Sequence, residues 1–302
     1  MSDQEQLQWE ARVGRPAAAA AFAAGVLLLA GTFALQSIIK DRAGLKPLPD
    51  FLFSINENPG TMRASSILLA LSALFLIPVF YVLFRATRHR LPHFPRWFLY
   101  LILLGPVMYA VSQVFGAIDR IDVAQTFVDK SSHIKHCPAI AGEAGRKCAD
   151  ELLRHDVNPV VAGLSFAGSL ATAFLFVMLP LRARRAGLMS QFMSILGVVA
   201  GVLMVLRLTP LLPETLQAFW LGAVGVLFLG RWPGGRGPAW ETGEADPWPS
   251  GAARRGLVPA GDGGAPATAT DNGAGGAPAE PADAEAEPAP QRPSSRKRRR
   301  KR

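Results

Sequence analysis

Six long apolar runs constrain the fold of this 302-residue chain more than any other feature of its sequence. A helix needs roughly 20 apolar residues to cross a hydrocarbon core about 30 Å thick, and each run meets or approaches that length. Charged residues fall almost entirely between and after the runs. The sequence therefore predicts an all-α integral membrane protein, a six-transmembrane-helix bundle with spans at about 16–39, 65–84, 97–118, 158–181, 191–206 and 211–229.

The first run has two interpretations, a retained helix and a signal peptide. The apolar region of a secretory signal is only about 7–15 residues long, and this run is longer. A retained helix is therefore expected, preceded by a polar cytoplasmic N-terminus at 1–15. Pro16 suits the first turn of that helix, because a missing N–H costs nothing there.

The short basic segments predict the orientation, because cytoplasmic loops carry an excess of Lys and Arg. Residues 85–96 contain four arginines and no acid, and residues 182–185 read RARR. With both segments inside, six alternating helices place both termini in the cytoplasm and residues 119–157 outside. The expected location is the cell membrane, and the preference for Arg over Lys is typical of high-GC bacterial proteins.

The outer segment 119–157 contains the two cysteines of the chain, Cys137 and Cys148. Paired cysteines in an oxidising compartment indicate a disulfide, and closing a loop of about a dozen residues contributes roughly 3 kcal/mol in the chain-entropy model. A metal site is the alternative, because zinc accepts histidine and cysteine ligands. The spacing matches no recognisable zinc module, so the disulfide is preferred, although three histidines lie near the cysteines: His133, His136 and His155.

Two carboxylates, Asp119 and Asp122, follow the third run about one helical turn apart. Apolar residues continue at helical spacing through this stretch, which predicts that the third helix projects beyond the bilayer. A carboxylate pair near the membrane surface would suit an ion or proton site. A solvated helix face above the headgroups explains the same residues, and it is the interpretation preferred here.

The interior of the runs lacks ionisable residues. Buried ionisable groups usually mark proton relays and ion paths, so the sequence argues against a proton-coupled pump, a voltage sensor and an intramembrane protease. An enzyme is not expected, and neither is a cofactor.

Arg207 and Glu214 flank the last hairpin and are placed to pair. The interior offers only mild polarity, and the residues expected to line a cavity are Tyr109, Gln113, Ser165 and Ser169.

Small residues predict how the later helices pack. Gly197 and Gly201 form a GxxxG spacing, which lets two helix backbones approach closely. Packing within the chain is the plain interpretation of this spacing. A homodimer, or another membrane protein bound at the same surface, is the alternative.

The segment 230–302 is rich in Gly, Pro and Ala and poor in large aliphatic residues. Such a chain buries too little apolar surface to offset the entropy of ordering, so a disordered cytoplasmic tail is expected. Its final seven residues are basic. Anionic lipid headgroups attract such residues by about 1 kcal/mol each, whereas nucleic acid is not the partner expected. The predicted lipid-contacting cluster is Arg296, Lys297, Arg298, Arg299, Arg300, Lys301 and Arg302.

Two function classes remain open. A structural or accessory membrane protein that acts through partners predicts a tightly packed bundle without a cavity. A small transporter or permease-like protein for a neutral or weakly polar solute predicts a polar cavity near mid-membrane. Because the interior lacks charged groups, the sequence favours the accessory protein.

Overall fold

The computed structural model describes residues 2–41, 44–45, 48–132, 143, 146–147, 149–150, 158–206, 211–233 and 235–248. The chain divides into two units, Met1–Gly263 and Gly264–Arg302, and the second lies outside the described residues. Two short strands, β1 (Lys40–Asp41) and β2 (Gly44–Leu45), pair antiparallel. The helices are α1 (Asp3–Ile39), α2 (Leu48–Glu57), α3 (Pro59–Arg90), α4 (Phe98–Ser132), α5 (Pro159–Arg185), α6 (Gln191–Leu206), α7 (Leu212–Phe228) and α8 (Ala239–Thr242).

Four helices of the described chain, α1, α3, α4 and α5, are long and apolar enough to cross a membrane. The helices α6 and α7 are also apolar, but they have only 16 and 17 residues. At 1.5 Å per residue they are about 24–26 Å long. The all-helical fold class is thus confirmed, with four candidate membrane-crossing helices in the described chain, and the predicted count of six spans is not confirmed.

The long helices form a closed ring. Each packs against the next in the order α1, α3, α4, α5, α6 and α7, and α7 returns to α1. The helix α3 also touches α5 across the ring. One end of the ring carries the arginines of the last turns of α3 and α5, and we call it the basic end. The opposite end carries α2, and we call it the α2 end.

The helix α1 begins well before Pro16, which corrects the prediction that residues 1–15 precede the first helix. A capping box starts it: the Ser2 N–H donates to Glu5 Oε2 at 2.9 Å, and the Glu5 N–H donates to Ser2 Oγ at 3.3 Å. Gln6 and Glu10 are then buried against the end of α3. The polar residues at the start of the chain are helical because Gln6 and Glu10 are held by contacts with the end of α3, which is distant in sequence.

A buried ion pair closes the basic end. Arg90 Nη1 lies 2.6 Å from Glu10 Oε1, and Arg90 Nη2 lies 3.1 Å from Glu10 Oε2. Arg90 also donates from Nε to the Ala239 carbonyl and from Nη1 to the Ala86 carbonyl, both at 3.0 Å. Gln6 Nε2 donates to Glu10 Oε1 at 2.8 Å. These extra hydrogen bonds are what a desolvated ion pair needs to be stable.

The C-terminal segment 235–248 covers that ion pair. Trp240 is 7% exposed, and its Nε1 donates to the Leu188 carbonyl at 2.9 Å. Arg236 donates to the Phe228 carbonyl at the end of α7. The prediction of a disordered tail from residue 230 onward therefore has its boundary too early. The segment is too polar to form a core alone, but it places Trp240 in the core of the helix ring.

The helix α2 lies on the opposite end of the ring. Leu52 and Ile55 are 0% exposed and pack in one cluster with Phe127 of α4. The rings of Phe53 and Phe127 meet edge to face with their centroids 5.6 Å apart. This packing explains why α4 continues to Ser132, as the spacing of its apolar residues indicated.

Two glycines bring α6 close to its neighbours in the ring. A Cβ on Gly197 would lie 2.7 Å from Trp220 Nε1, and a Cβ on Gly201 would lie 2.7 Å from the Ala173 carbonyl oxygen. Both glycines are buried within a single chain. The GxxxG spacing therefore serves packing inside the chain, and the homodimer at this surface stays a prediction.

Candidate functional site

A cavity of about 390 Å³ lies at the centre of the helix ring, and we call it the central cavity. Its volume is within the range of small-molecule sites in proteins. All six helices of the ring contribute to its wall. The wall carries eleven polar side chains among apolar ones: Thr32, Gln36, Ser72, Tyr109, Ser112, Gln113, Arg120, Ser165, Thr172, Glu214 and Gln217.

The side chains predicted to line a cavity lie in two adjoining places. Tyr109, Gln113 and Ser165 are in the wall of the central cavity, and Ser169 is in the wall of a neighbouring groove. They come together because α4 and α5 are in close contact at Gly168, where a Cβ would lie 2.5 Å from the Tyr109 nitrogen. Whether these side chains bind a solute stays a prediction.

Several hydroxyl groups of the wall are already hydrogen-bonded inside the bundle. Ser72 Oγ donates to the Ala24 carbonyl at 2.8 Å and so joins α3 to α1. Ser112 Oγ donates to the Tyr109 carbonyl at 2.7 Å, and Thr172 Oγ1 donates to a carbonyl one turn back at 2.8 Å. Hydroxyl groups in membrane helices commonly bond in this way. These three therefore have a structural role that needs no ligand.

Three other side chains of the wall end in buried oxygens without a hydrogen bond to any described residue. They are Thr32 Oγ1 and Gln36 Oε1 on α1 and Glu214 Oε2 on α7. Thr32 is only 5% exposed. Leaving a buried polar group unpaired costs about 1–3 kcal/mol. Each of these oxygens therefore requires a partner inside the cavity, either water or a bound molecule.

Sequence reasoning did not place these three groups in the wall of a cavity. Thr32 and Gln36 lie one helical turn apart on α1, and Glu214 and Gln217 lie about one turn apart on α7. Such spacing of polar residues beside apolar ones was the available signal. Glu214 was expected to pair with Arg207, which lies outside the described residues.

An aromatic layer separates the central cavity from the basic end. Phe80, Phe176 and Trp220 are each 0% exposed. Phe80 and Phe176 stand one helical turn beyond the last lining residues of their helices, Leu76 and Thr172, whereas Trp220 precedes the lining residue Leu221. The Phe176 ring centroid lies 5.2 Å from that of Phe80 and 5.1 Å from that of Trp220. Trp220 Nε1 donates to the Met193 carbonyl at 3.0 Å, which fixes the indole. The layer closes the cavity on this side.

A second cavity of about 490 Å³ lies between α4, α5 and α6, and we call it the lateral groove. It shares Ser112, Arg120, Ser165 and Met204 with the central cavity, so the two adjoin. Its outer wall consists of apolar side chains that are exposed on the surface of the bundle: Phe166, Leu170 and Val205.

Asp119 and Asp122, the two carboxylates that follow the third apolar run, lie in different surroundings. Asp119 lines the lateral groove, and its Oδ2 is buried with no hydrogen bond to a described residue. Asp122 is exposed. Asp119 is therefore a candidate binding group on its own, whereas Asp122 fits the solvated helix face.

The remaining predicted sites lie outside the described residues. This holds for Cys137 and Cys148, for the three histidines near them and for the basic cluster 296–302. The disulfide, its metal alternative and the lipid contact of the tail stay predictions. Within the part of the chain that the structure describes, no group of three His, Cys, Asp or Glu side chains is placed to hold a metal ion.

Comparison with protein-family models, with curated proteins and with solved structures finds no match. The chemistry of the site is therefore argued from its own residues. The described wall combines hydroxyl, amide and carboxylate oxygens inside an apolar ring. Such a wall is suited to hold a small polar molecule by hydrogen bonds.

Proposed function

We propose that this chain is a small transporter or permease-like protein of the cell membrane that binds a polar solute in the central cavity. The observation that carries the proposal is the set of buried oxygens without a described partner: Thr32 Oγ1, Gln36 Oε1 and Glu214 Oε2. Natural proteins leave buried polar groups without hydrogen-bond partners mainly at functional sites. Three such groups around one cavity give a polar solute hydrogen-bonding partners inside the bundle.

Six spans with both termini in the cytoplasm form part of the proposal. The arginines at the ends of α3 and α5 favour a cytoplasmic basic end. The helices α6 and α7 are a few ångströms short of the hydrocarbon thickness, and local thinning of a bilayer accommodates this at a modest free-energy cost. In this orientation the central cavity lies on the outer side of the aromatic layer.

The described conformation corresponds, in this proposal, to an outward-facing state. The aromatic layer and the Arg90–Glu10 ion pair both lie between the central cavity and the basic end. Both have to separate before a solute leaves toward the cytoplasm. Secondary transporters commonly place their site near the midplane and open it to one side at a time.

Cysteine accessibility tests the proposal. Ser165→Cys places a thiol in the wall of the central cavity, and Ser194→Cys is the matched control. Ser194 is 0% exposed near the basic end, where its Oγ donates to the Pro180 carbonyl at 3.0 Å. A small, charged, membrane-impermeant thiosulfonate is applied to right-side-out and inside-out vesicles. We expect Ser165→Cys to react from outside beyond the level of the parent chain, and Ser194→Cys to remain unreactive from either side.

The side of labelling separates the function classes. A transporter requires that some Ser165→Cys also reacts in inside-out vesicles, because the inward-facing state is visited. Reaction from the outside alone contradicts transport and leaves a binding protein. If Ser165→Cys is as unreactive as Ser194→Cys from both sides, the cavity is inaccessible and the proposal is wrong.

A structural or accessory protein that acts through partners is the second candidate function. The docked segment 235–248 favours it, because this segment gives the basic end a fixed surface on which a partner can bind. This candidate predicts a protein that copurifies with the full chain and is lost when the segment is removed. It also predicts no reaction at Ser165→Cys.

A further inference from the structure

We propose that the solute is a single-chain amphiphile with a primary amine head, whose ammonium group binds in the central cavity while its apolar chain lies in the lateral groove. This inference rests on the proposed function and adds the substrate class. It depends on the chemistry of the unpaired atoms and on the shared wall of the two cavities.

The head is inferred from the unpaired atoms of the two walls. In the described chain these atoms are all oxygens: Thr32 Oγ1, Gln36 Oε1, Asp119 Oδ2 and Glu214 Oε2. Gln36 Oε1 and the ionised carboxylate oxygens of Asp119 and Glu214 can only accept, so they suit N–H or O–H groups on the ligand, whereas the Thr32 hydroxyl can accept or donate. Glu214 and Arg120 line the central cavity, and Asp119 lies in the adjoining lateral groove next to Arg120 in the chain. The formal charges of Glu214 and Arg120 balance, so the net charge of −1 over the two walls comes from Asp119. An ammonium group supplies three donors and the opposite charge.

A quaternary ammonium head fits this wall less well. Such heads lack N–H donors and are recognised mainly by the faces of several aromatic rings. In the described wall of the central cavity the aromatic side chain is that of Tyr109. The wall therefore offers acceptor oxygens to a primary amine but no aromatic cage to a quaternary one.

The chain is inferred from the lateral groove. The groove begins at residues that also line the central cavity, among them Ser112, Ser165 and Met204. It ends at apolar side chains with exposed fractions of 68% for Phe166 and 50% for Val205. In a bilayer these side chains meet lipid chains. An alkyl chain that starts at the central cavity would thus pass the polar shared wall and then run along Phe166, Leu170 and Val205 to the lipid.

Three probes measure the contributions of the amine head and of the alkyl chain to binding: dodecylamine, dodecanol and ethylamine. Native mass spectrometry of the full-length protein, released from detergent micelles, counts the bound molecules at each probe concentration. We expect one dodecylamine per chain, bound at least about tenfold more tightly than either other probe. Dodecanol lacks the ammonium group, and losing a hydrogen bond to a charged group has an effect of about that size or larger. Ethylamine lacks the long apolar chain, and so it loses the free energy of burying that chain.

Two pairs of variants assign the two parts of the ligand. Glu214→Gln should weaken dodecylamine binding about tenfold or more, whereas the control Glu241→Gln removes an exposed carboxylate near the basic end and should not. Ser169→Phe fills the lateral groove and should weaken dodecylamine binding without changing that of ethylamine. Its control, Ala30→Phe, adds the same ring at an exposed position of α1.

Each contrary result overturns a defined part of the inference. Dodecanol that binds as tightly as dodecylamine, with no effect of Glu214→Gln, excludes the amine head. Ethylamine that binds as tightly as dodecylamine, with no effect of Ser169→Phe, excludes the chain in the groove and leaves the proposed function intact. If none of the probes binds, the substrate class is wrong, and the accessibility of Ser165→Cys still decides the proposed function separately.

Discussion

Arg90 and Glu10 lie 80 residues apart in sequence and form a two-point ion pair in which 0% and 2% of the two side chains are exposed. A buried pair of this kind behaves as a unit. Removing one partner leaves an uncompensated charge in a desolvated site, whereas replacing both partners removes the charge altogether. Single and double substitutions should therefore differ sharply.

Arg90→Ala should lower the free energy of unfolding by about 3–5 kcal/mol, because Glu10 would stay buried without its partner. The double variant Glu10→Leu/Arg90→Met should lose less stability than Arg90→Ala. Thermal unfolding in detergent measures both, and Arg96→Ala, at an exposed arginine near the same end, is the control. An Arg90→Ala variant as stable as Arg96→Ala would show that the pair does not support the fold.

Removal of residues 236–302 should destabilise the protein, while removal of residues 249–302 should not. The longer deletion takes away the Ala239 carbonyl that accepts from Arg90 and the Trp240 side chain that covers it. The shorter deletion leaves every described contact of this segment in place. The melting temperatures of the two truncated proteins and of the full chain measure the difference. Equal melting temperatures for both truncations would contradict the role given to the segment.

Gly168→Ala should destabilise the helix ring, although alanine is the better helix former. The new Cβ would lie 2.5 Å from the Tyr109 nitrogen, and overpacking of this kind typically costs about 1–3 kcal/mol. Gly163→Ala, on the same helix with no atom within 4 Å of the new Cβ, should instead gain up to about 1 kcal/mol. Chemical or thermal unfolding of both variants tests this. Similar effects at the two positions would mean that α4 and α5 are not in close contact at Gly168.

Cys137 and Cys148 should react with a membrane-impermeant maleimide on intact cells only after mild reduction. The reason is the predicted disulfide in the outer segment 119–157, worth roughly 3 kcal/mol in the chain-entropy model. Labelling is read by the mass increase of the purified chain, with permeabilised cells as the control.

Two other labelling results would be informative. Reaction without reduction means free thiols outside, and it raises the weight of the metal alternative with His133 and His136. Reaction only in permeabilised cells places the segment inside and inverts the proposed orientation. The central cavity would then open to the cytoplasm instead of the outside.

The helices of the ring were largely predictable from sequence, because long apolar runs have few alternatives in a lipid environment. The helix α6 has the predicted bounds, and α5 begins one residue later than expected. The basic end was less predictable. Glu10 and Trp240 are ordered by partners far away in the sequence, and no local propensity indicates such contacts.

The candidate site was predictable only in part. Tyr109, Gln113 and Ser165 stand out because they are polar residues inside apolar runs, and each lies in the wall of the central cavity. Glu214 was assigned to a hairpin, since a charge near the end of a span usually reaches the headgroups. Its place in the wall depends on how α7 lies against α1 in the closed ring.

The docking of Ala239 onto Arg90 also sets an order of events during synthesis. The arginine is made 149 residues before the carbonyl that accepts its hydrogen bonds. At a synthesis rate of about 5–20 residues per second, the Ala239 carbonyl is made roughly 7–30 s after Arg90. A ribosome that stalls in this interval leaves a chain whose Arg90–Glu10 ion pair lacks the segment 235–248 that covers it. Completion of the bundle thus depends on the last described stretch of the chain.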